Sequence, residues 1–413
     1  MASEGKEAPR LSAGITPRDS GRRLLVAAMA LGQIGGLLPH VAVPATMPQF
    51  LIPEWHLSNA HAGLMASAYA LGYMVLVPFL TTLTDRIDAR RILFLSSLVS
   101  ALATIGFGLF ADGMISAMIF WCLAGMGFAG GYMPGLKALT DRLGPGESSR
   151  SVVFYTASFS FGVGLSFLAC QVIAEHWGWR AAFVITGAVP LIMTVVAGLL
   201  QPVPPPPRAG AFLDIRPALK NRAALAYSWA YGAHCFELYG LRTWMVAFWG
   251  FVAARGDAPM SAIAVSTIVT ILAMPASMLG NELALKIGRH RAITVVMLAS
   301  AAVALAIGLS AGLSPWLSLL LMLVYAFTVP GDSGALTAGM TAAADPRYRG
   351  ASMAVHSTIG FGLTAAGGWV FGIALDAAGG IDVPAAWALA FGIMAIAATM
   401  GPAVLWWSRR RPA

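Results

Sequence analysis

The chain has 413 residues, of which 58% are hydrophobic and only 11% charged, with a mean hydropathy of +0.74. Water-soluble domains carry about 45–50% apolar and about 25% charged residues, so this balance excludes them and indicates a polytopic membrane protein. A net charge of +8 would also suit a nucleic-acid surface, but the placement of the basic residues assigns it to membrane orientation instead.

Residues 1–23 are polar and end in "GRRLL", ahead of an apolar run longer than a signal-peptide core. They read as a cytoplasmic tail followed by a span that is retained. Runs of roughly 20 residues, enough to cross a bilayer, lie at 24–48, 61–83, 92–111, 114–137, 151–174 and 181–200. "QPVPPPPRAG" (201–210) cannot continue a helix, and a Pro-rich cytoplasmic linker is expected over 201–222. Six more runs follow at 223–250, 260–283, 292–312, 315–342, 351–375 and 385–407, then a short tail over 408–413. The shortest cuts are "ADGM" and "AGLSPW". The expected fold is therefore all-α, with twelve transmembrane helices in two six-helix bundles, 24–200 and 223–407.

Of the 26 Lys and Arg residues, 23 fall in the tails and alternate connections on one side, leaving Arg180, Arg242 and Arg255. The positive-inside bias then places both termini in the cytoplasm. The 45 glycines have no fixed period and suit close helix packing, and Cys122, Cys170 and Cys235 offer no disulfide framework or zinc spacing.

The halves look related. "LTDRIDARR" (83–91) precedes "LALKIGRHR" (283–291) by 200 positions, as "SFGVG" (160–164) precedes "GFGLT" (360–364). Internal repeats of this kind point to transporters. With "HWGWRAAF" (176–183), these motifs resemble the major facilitator superfamily over nearly the whole chain. Asp85, Arg86, Arg90 and Arg91 match that family's loop signature, while Thr81 and Asp88 stand where the pattern prefers glycines. The resemblance implies a conformational latch there, since an acid beside a helix amino end is stabilised. Trp121 stands where members often carry an arginine, and the fifth span lacks the Gly-Pro pair of drug-proton antiporters.

"WAYGAHCFELYGLRTW" (229–244) sets a histidine, a glutamate and an arginine inside the seventh span. Each ionisable group at a helix centre costs roughly 2.5–3.5 kcal/mol on insertion scales. On a helical wheel Tyr227, Tyr231, His234 and Arg242 share one arc of about 80°, with Glu237 beside it. The resemblance implies that spans 1, 4, 7 and 10 line a central cavity. Those spans offer Gln33 and His40, Trp121, Phe128 and Tyr132, the seventh-span stripe, and Tyr325 and Asp332.

An arginine keeps its proton and offers a planar fork to a carboxylate, whereas a buried carboxyl can load and release a proton. Arg242 is thus expected to bind an anionic substrate and Glu237 or Asp332 to carry the coupling proton, with His40 and His234 assisting. The plainer alternative makes Glu237 and Arg242 structural, paired with each other or across to span 1 or 10, and treats Trp121, Phe128 and Tyr132 as packing; His356 on span 11 reads either as a functional group or as one that meets interfacial water. The expected function is proton-coupled symport of a small organic anion by alternating access, the alternative being efflux of an amphipathic compound. No cofactor, metal site or catalytic residue is expected; the resemblance implies a monomer, and the wealth of Ala, Gly and Arg points to a bacterial inner membrane. "GDSG" (331–334) spells an intramembrane serine-protease tetrapeptide, but the twelve-span repeat argues against that chemistry. A substrate sensor built on a carrier scaffold is the other non-transport reading.

Overall fold

A computed structural model describes residues 17–143, 148–204, 215–345 and 348–410. Most of the expected amino-terminal tail, the centre of the Pro-rich linker and residues 411–413 lie outside the described residues. The first crossing is α1 (Pro17–Leu37), then α2 (Ala42–Thr46), a π turn (Met47–Leu51) and α3 (Ile52–Trp55), inclined to α1 by 48°. Pro39 has no N–H to continue the ladder, so the helix breaks there and leaves His40 in the bend.

The first bundle continues with α4 (Asn59–Leu83), α5 (Ala89–Phe110), α6 (Met114–Phe128) extended by α7 (Met133–Thr140), α8 (Ser148–Ala188) and α9 (Pro190–Leu199). Gly178, at φ 84°, interrupts α8 and divides it into the fifth and sixth crossings. Past the short α10 (Arg216–Lys220), the second bundle comprises α11 (Arg222–Ala253), α12 (Ala262–Ile271) with α13 (Ala273–Ile287), and α14 (Arg289–Leu309). Then come α15 (Pro315–Thr328), a 3-10 turn (Val329–Asp332), α16 (Ser333–Ala343), α17 (Arg349–Ala377) and α18 (Pro384–Arg410). Among the described residues nine stretches are long and apolar enough to cross, ten with the bent first pair. The other two crossings come from the split at Gly178 and from α11, whose 32 residues suffice in length but carry His234, Glu237 and Arg242.

The bundles meet where α4 runs along α17 and α8 along α12. Glycine makes the first seam possible: a Cβ at Gly63 would sit 2.5 Å from the Gly368 carbonyl oxygen, and one at Gly372 would sit 2.3 Å from that of Asn59. Ser67 Oγ donates to the Ala365 carbonyl (2.5 Å) and Gln171 Nε2 to Ser266 Oγ (2.8 Å). At the rim, Asp376 of α17 caps α4 from the opposite bundle. Its Oδ1 accepts from Asn59 N (3.0 Å) and Nδ2 (2.7 Å), and its Oδ2 from Ala60 N (2.8 Å). A carboxylate on a helix amino end satisfies orphan donors and meets the positive end of the dipole.

On the opposite face, Asp88 organises the turn before α5. It accepts from Arg90 N (3.0 Å), Val203 N (2.8 Å) and, through both oxygens, Arg142 Nη2 (3.0 Å). Arg90 and Arg142 also donate to the Leu200 and Gln201 carbonyls, tying this turn to the end of α9 within the first bundle. Burial alone would raise the Asp88 carboxyl, but these bonds outweigh it and hold it below the ordinary value of 3.8. Their stabilisation is therefore complete above that value and is lost as pH falls through the lowered one. Burial pushes the neighbouring Asp85 up, with Lys137 opposing and Asp141 adding to the shift.

If the Asp376 cap holds this rim closed, Asp376→Ala should raise several-fold the rate at which an impermeant thiol reagent, applied on the Asn59 side, labels a cysteine at Ala66. An unchanged labelling rate would show that the cap has no gating role.

Candidate functional site

The side chain of Asn221 accepts from Ala224 N (3.0 Å), starting α11 in the register that turns its polar stripe inward. His234 Nδ1 lies 2.7 Å from Asp332 Oδ1, and each residue is 2% exposed. Asp332 reaches this position because the 3-10 turn after Thr328 interrupts the tenth crossing. Three residues further along α11, Glu237 Oε1 accepts from Ser300 Oγ of α14 (2.7 Å) and Tyr325 OH of α15 (2.9 Å). Hydrogen bonds to a charged group contribute about 1.5–3 kcal/mol each, enough to offset the insertion cost of one carboxylate. Both acids are thus accommodated inside the second bundle.

Arg242 differs. It is 5% exposed, and among the described residues no carboxylate lies within ion-pair distance of it. Its guanidinium carbon stands 5.2 Å from the centre of the Tyr239 ring, a cation–π arrangement that brings no neutralising charge. Arg242 borders two cavities. One is enclosed by the second bundle, with Tyr325, the residue that holds Glu237, in its wall. The other lies between the bundles and measures about 30 Å³, room for about two waters in this conformation.

The first bundle lines this central cavity with His40, Ser67, Tyr69 and Trp121, and the second with Tyr239, Arg242, Phe361 and Thr364. Below it, Tyr73 and Phe361 stack across the seam at 3.7 Å. Four lining residues hold a buried polar atom with no hydrogen-bond partner: His40 Nδ1, Tyr69 OH, Trp121 Nε1 and Thr364 Oγ1. Buried polar groups are normally satisfied, and each one left unpaired costs about 1–3 kcal/mol. Four such residues thus stand around one cation that no carboxylate neutralises.

The structure brings together only part of the expected set. His40, Trp121 and Arg242 meet at the central cavity, and Phe128 packs behind them, 5.1 Å from the His40 ring. Gln33 instead accepts from Tyr155 OH (2.8 Å) inside the first bundle, and Tyr132 stacks on that same Tyr155. Tyr231 stacks on His356 (4.1 Å) and lies 5.6 Å from His234; neither Tyr231 nor His234 lines the cavity. Glu237 and Asp332 do not line it either, whereas two acids on its wall had been expected.

Two further helices join spans 1, 4 and 7 in this wall. The glycine seam draws α4 and α17 to the centre, where they add Ser67, Tyr69, Phe361 and Thr364. One signal was present in "SAYALGY", which puts Tyr69 and Tyr73 one helical turn apart in an apolar span. Tyr239 was likewise visible, three residues before Arg242. Ser333 of "GDSG" bonds the Pro330 carbonyl and Ser277, while His356 faces Ser228, so the two form no Ser–His dyad. Among the described residues no group of three or more His, Cys, Asp or Glu side chains could hold a metal ion.

The helix order repeats as the sequence does, with α5 beginning at Ala89 and α14 at Arg289. Two similar bundles around a central polar cavity define a membrane carrier. The family model for the Major Facilitator Superfamily matches residues 25–367, and the chain belongs to that superfamily. It is 29% identical over 245 residues to a gentisate transporter of Corynebacterium glutamicum, covering 55% of this chain and 54% of that one. It is 31% identical over 146 residues to a putative multidrug resistance protein of Pectobacterium carotovorum, covering 33% and 31%. The matched region thus spans about half the length, or less, of these relatives. The crystal structure of a bacterial homolog of the human lysosomal transporter Spinster, inward-facing and unoccupied, superposes with TM-score 0.76 at 18% identity, covering 96% of this chain and 98% of that one.

Tyr325→Phe removes one of the two donors to Glu237 and should destabilise the purified protein by about 1.5–3 kcal/mol in a denaturant titration. Combined with Ser300→Ala, the loss should be non-additive, because both hydroxyls serve one oxygen. Strict additivity would mean that they do not share the carboxylate.

Proposed function

We propose that this chain transports a small organic anion by alternating access, with a proton as the coupling ion. The observation that carries this reading is Arg242, a buried guanidinium without a carboxylate partner, on a cavity bounded by both bundles. An unpaired cation in a low-dielectric site is a strong anion receptor, and its fork matches a carboxylate. The gentisate transporter named among the relatives supports the same direction. Bundles 24–200 and 223–407 act as the moving bodies, joined by the linker over 201–222. The Asp85, Arg86, Arg90 and Arg91 turn acts as a latch when the opposite rim opens. Both termini face the cytoplasm of the inner (plasma) membrane, and the carrier works as a monomer.

Glu237 and Asp332 are the proton carriers in this reading. Tyr325 links Glu237 to the small cavity that Arg242 also borders, so anion arrival can be felt at the acid without direct contact. His234 holds Asp332 and completes the relay. A second reading, efflux of an amphipathic compound, draws support from the aromatic lining of Tyr69, Trp121, Tyr239 and Phe361 and from the multidrug resistance relative.

Proteoliposomes loaded with protein test these readings. Arg242→Lys should reduce uptake of aromatic carboxylates at least tenfold, because a point charge cannot replace the fork. Full retention of carboxylate uptake would remove Arg242 as the anion receptor, whereas export of a cationic dye that persists in Arg242→Lys would favour the second reading. Glu237→Gln should keep anion exchange between equal pools yet lose accumulation driven by a pH gradient. Undiminished accumulation would remove Glu237 from the coupling path.

A further inference from the structure

The unpartnered polar atoms of the residues around the central cavity are not spread evenly. Three belong to the first bundle, His40 Nδ1, Tyr69 OH and Trp121 Nε1, and these rings form one cluster. Tyr69 lies 5.1 Å from His40 and 4.8 Å from Trp121, centroid to centroid. All three residues are at least nine-tenths buried. The second bundle supplies the charge, through Arg242. The site is therefore divided, with an anion receptor on one moving body and a neutral hydrogen-bonding edge on the other.

We propose that His40, Tyr69 and Trp121 read a ring hydroxyl on an aromatic carboxylate whose charged end lies on Arg242, so that a transported substrate bonds both bundles at once. This rests on the anion-carrier reading above and extends it to substrate class. The chemistry of the edge selects the group. Trp121 Nε1 only donates, Tyr69 OH donates and accepts, and the His40 nitrogen does either according to its tautomer. A hydroxyl is the small neutral group that can answer all three, whereas a second carboxylate would bring a charge to an edge with no cation. Flat aromatic faces on both walls, Tyr69 and Phe361 among them, suit a ring between the two polar ends.

The division also gives the hydroxyl a mechanical role. An acid without it is held by the second bundle alone and leaves the buried donors of the first unsatisfied. An acid that carries it gives the first bundle partners only when the two walls are close. Occupancy by the hydroxylated acid thus favours the closed intermediate that a carrier must cross, which differential affinity for one state requires. At about 30 Å³ the cavity is contracted in this conformation, and the ring enters as the Tyr73–Phe361 stack parts.

The test compares 3-hydroxybenzoate with benzoate, by binding to the purified protein and by uptake into proteoliposomes, in wild type, Tyr69→Phe and Trp121→Phe. Wild type should prefer 3-hydroxybenzoate at least tenfold in uptake, and each variant should reduce that preference to about threefold or less. Tyr69→Phe removes only a hydroxyl that has no partner here, so its result stands even if Trp121→Phe fails to fold. Equal uptake of both acids by wild type, or a preference untouched by Tyr69→Phe, overturns the inference while leaving anion transport intact. If neither acid binds and Arg242→Lys changes nothing, the anion-carrier reading itself fails, and this inference falls with it.

Discussion

The charge on Arg242 is the constraint from which the rest of the arrangement follows. A guanidinium stays protonated at any physiological pH, so it cannot escape burial by neutralising as a carboxyl or imidazole can. The chain buries it nonetheless, beside a tyrosine face and away from both nearby acids, which bond elsewhere. Had Glu237 turned toward Arg242, the two would form a neutral structural pair and the cavity would hold no net charge. Ser300 and Tyr325 prevent this by holding the carboxylate themselves.

Around that cation the seam between bundles does two jobs. Glycines at 63, 368 and 372 let α4 and α17 approach until backbone nearly touches backbone, which brings Tyr69 and Thr364 to the centre. The same closeness places Asp376 over the amino end of α4, which adds a polar cap to the packed seam on that face. On the other face, Asp88 binds its turn to Arg142 beyond α7 and to Val203 beyond α9, which ties these parts of the first bundle together.

Much of the fold was legible because hydrocarbon imposes a simple rule on sequence: apolar runs of one length, broken by turns, with basic residues on one side. The repeat at 200 positions and the Pro-rich midpoint supplied the two bundles. The first crossing was less legible, since its course past Pro39 and Pro48 depends on where the broken ladder finds substitute bonds. At the site, Arg242 and His40 declared themselves as polar groups in apolar spans. Thr364 did not, and Tyr69 did only through its spacing to Tyr73, because tyrosine and threonine are common in membrane helices and only the glycine seam makes them central. Nor could spacing along α11 disclose that Glu237 faces Ser300, a partner 63 residues away.

The most direct measurement is an experimental structure of the protein with 3-hydroxybenzoate bound. The account predicts the carboxylate within about 3 Å of the Arg242 guanidinium, between the bundles. Arg242 paired with Glu237 or Asp332, or the ligand seated away from it, would contradict the account.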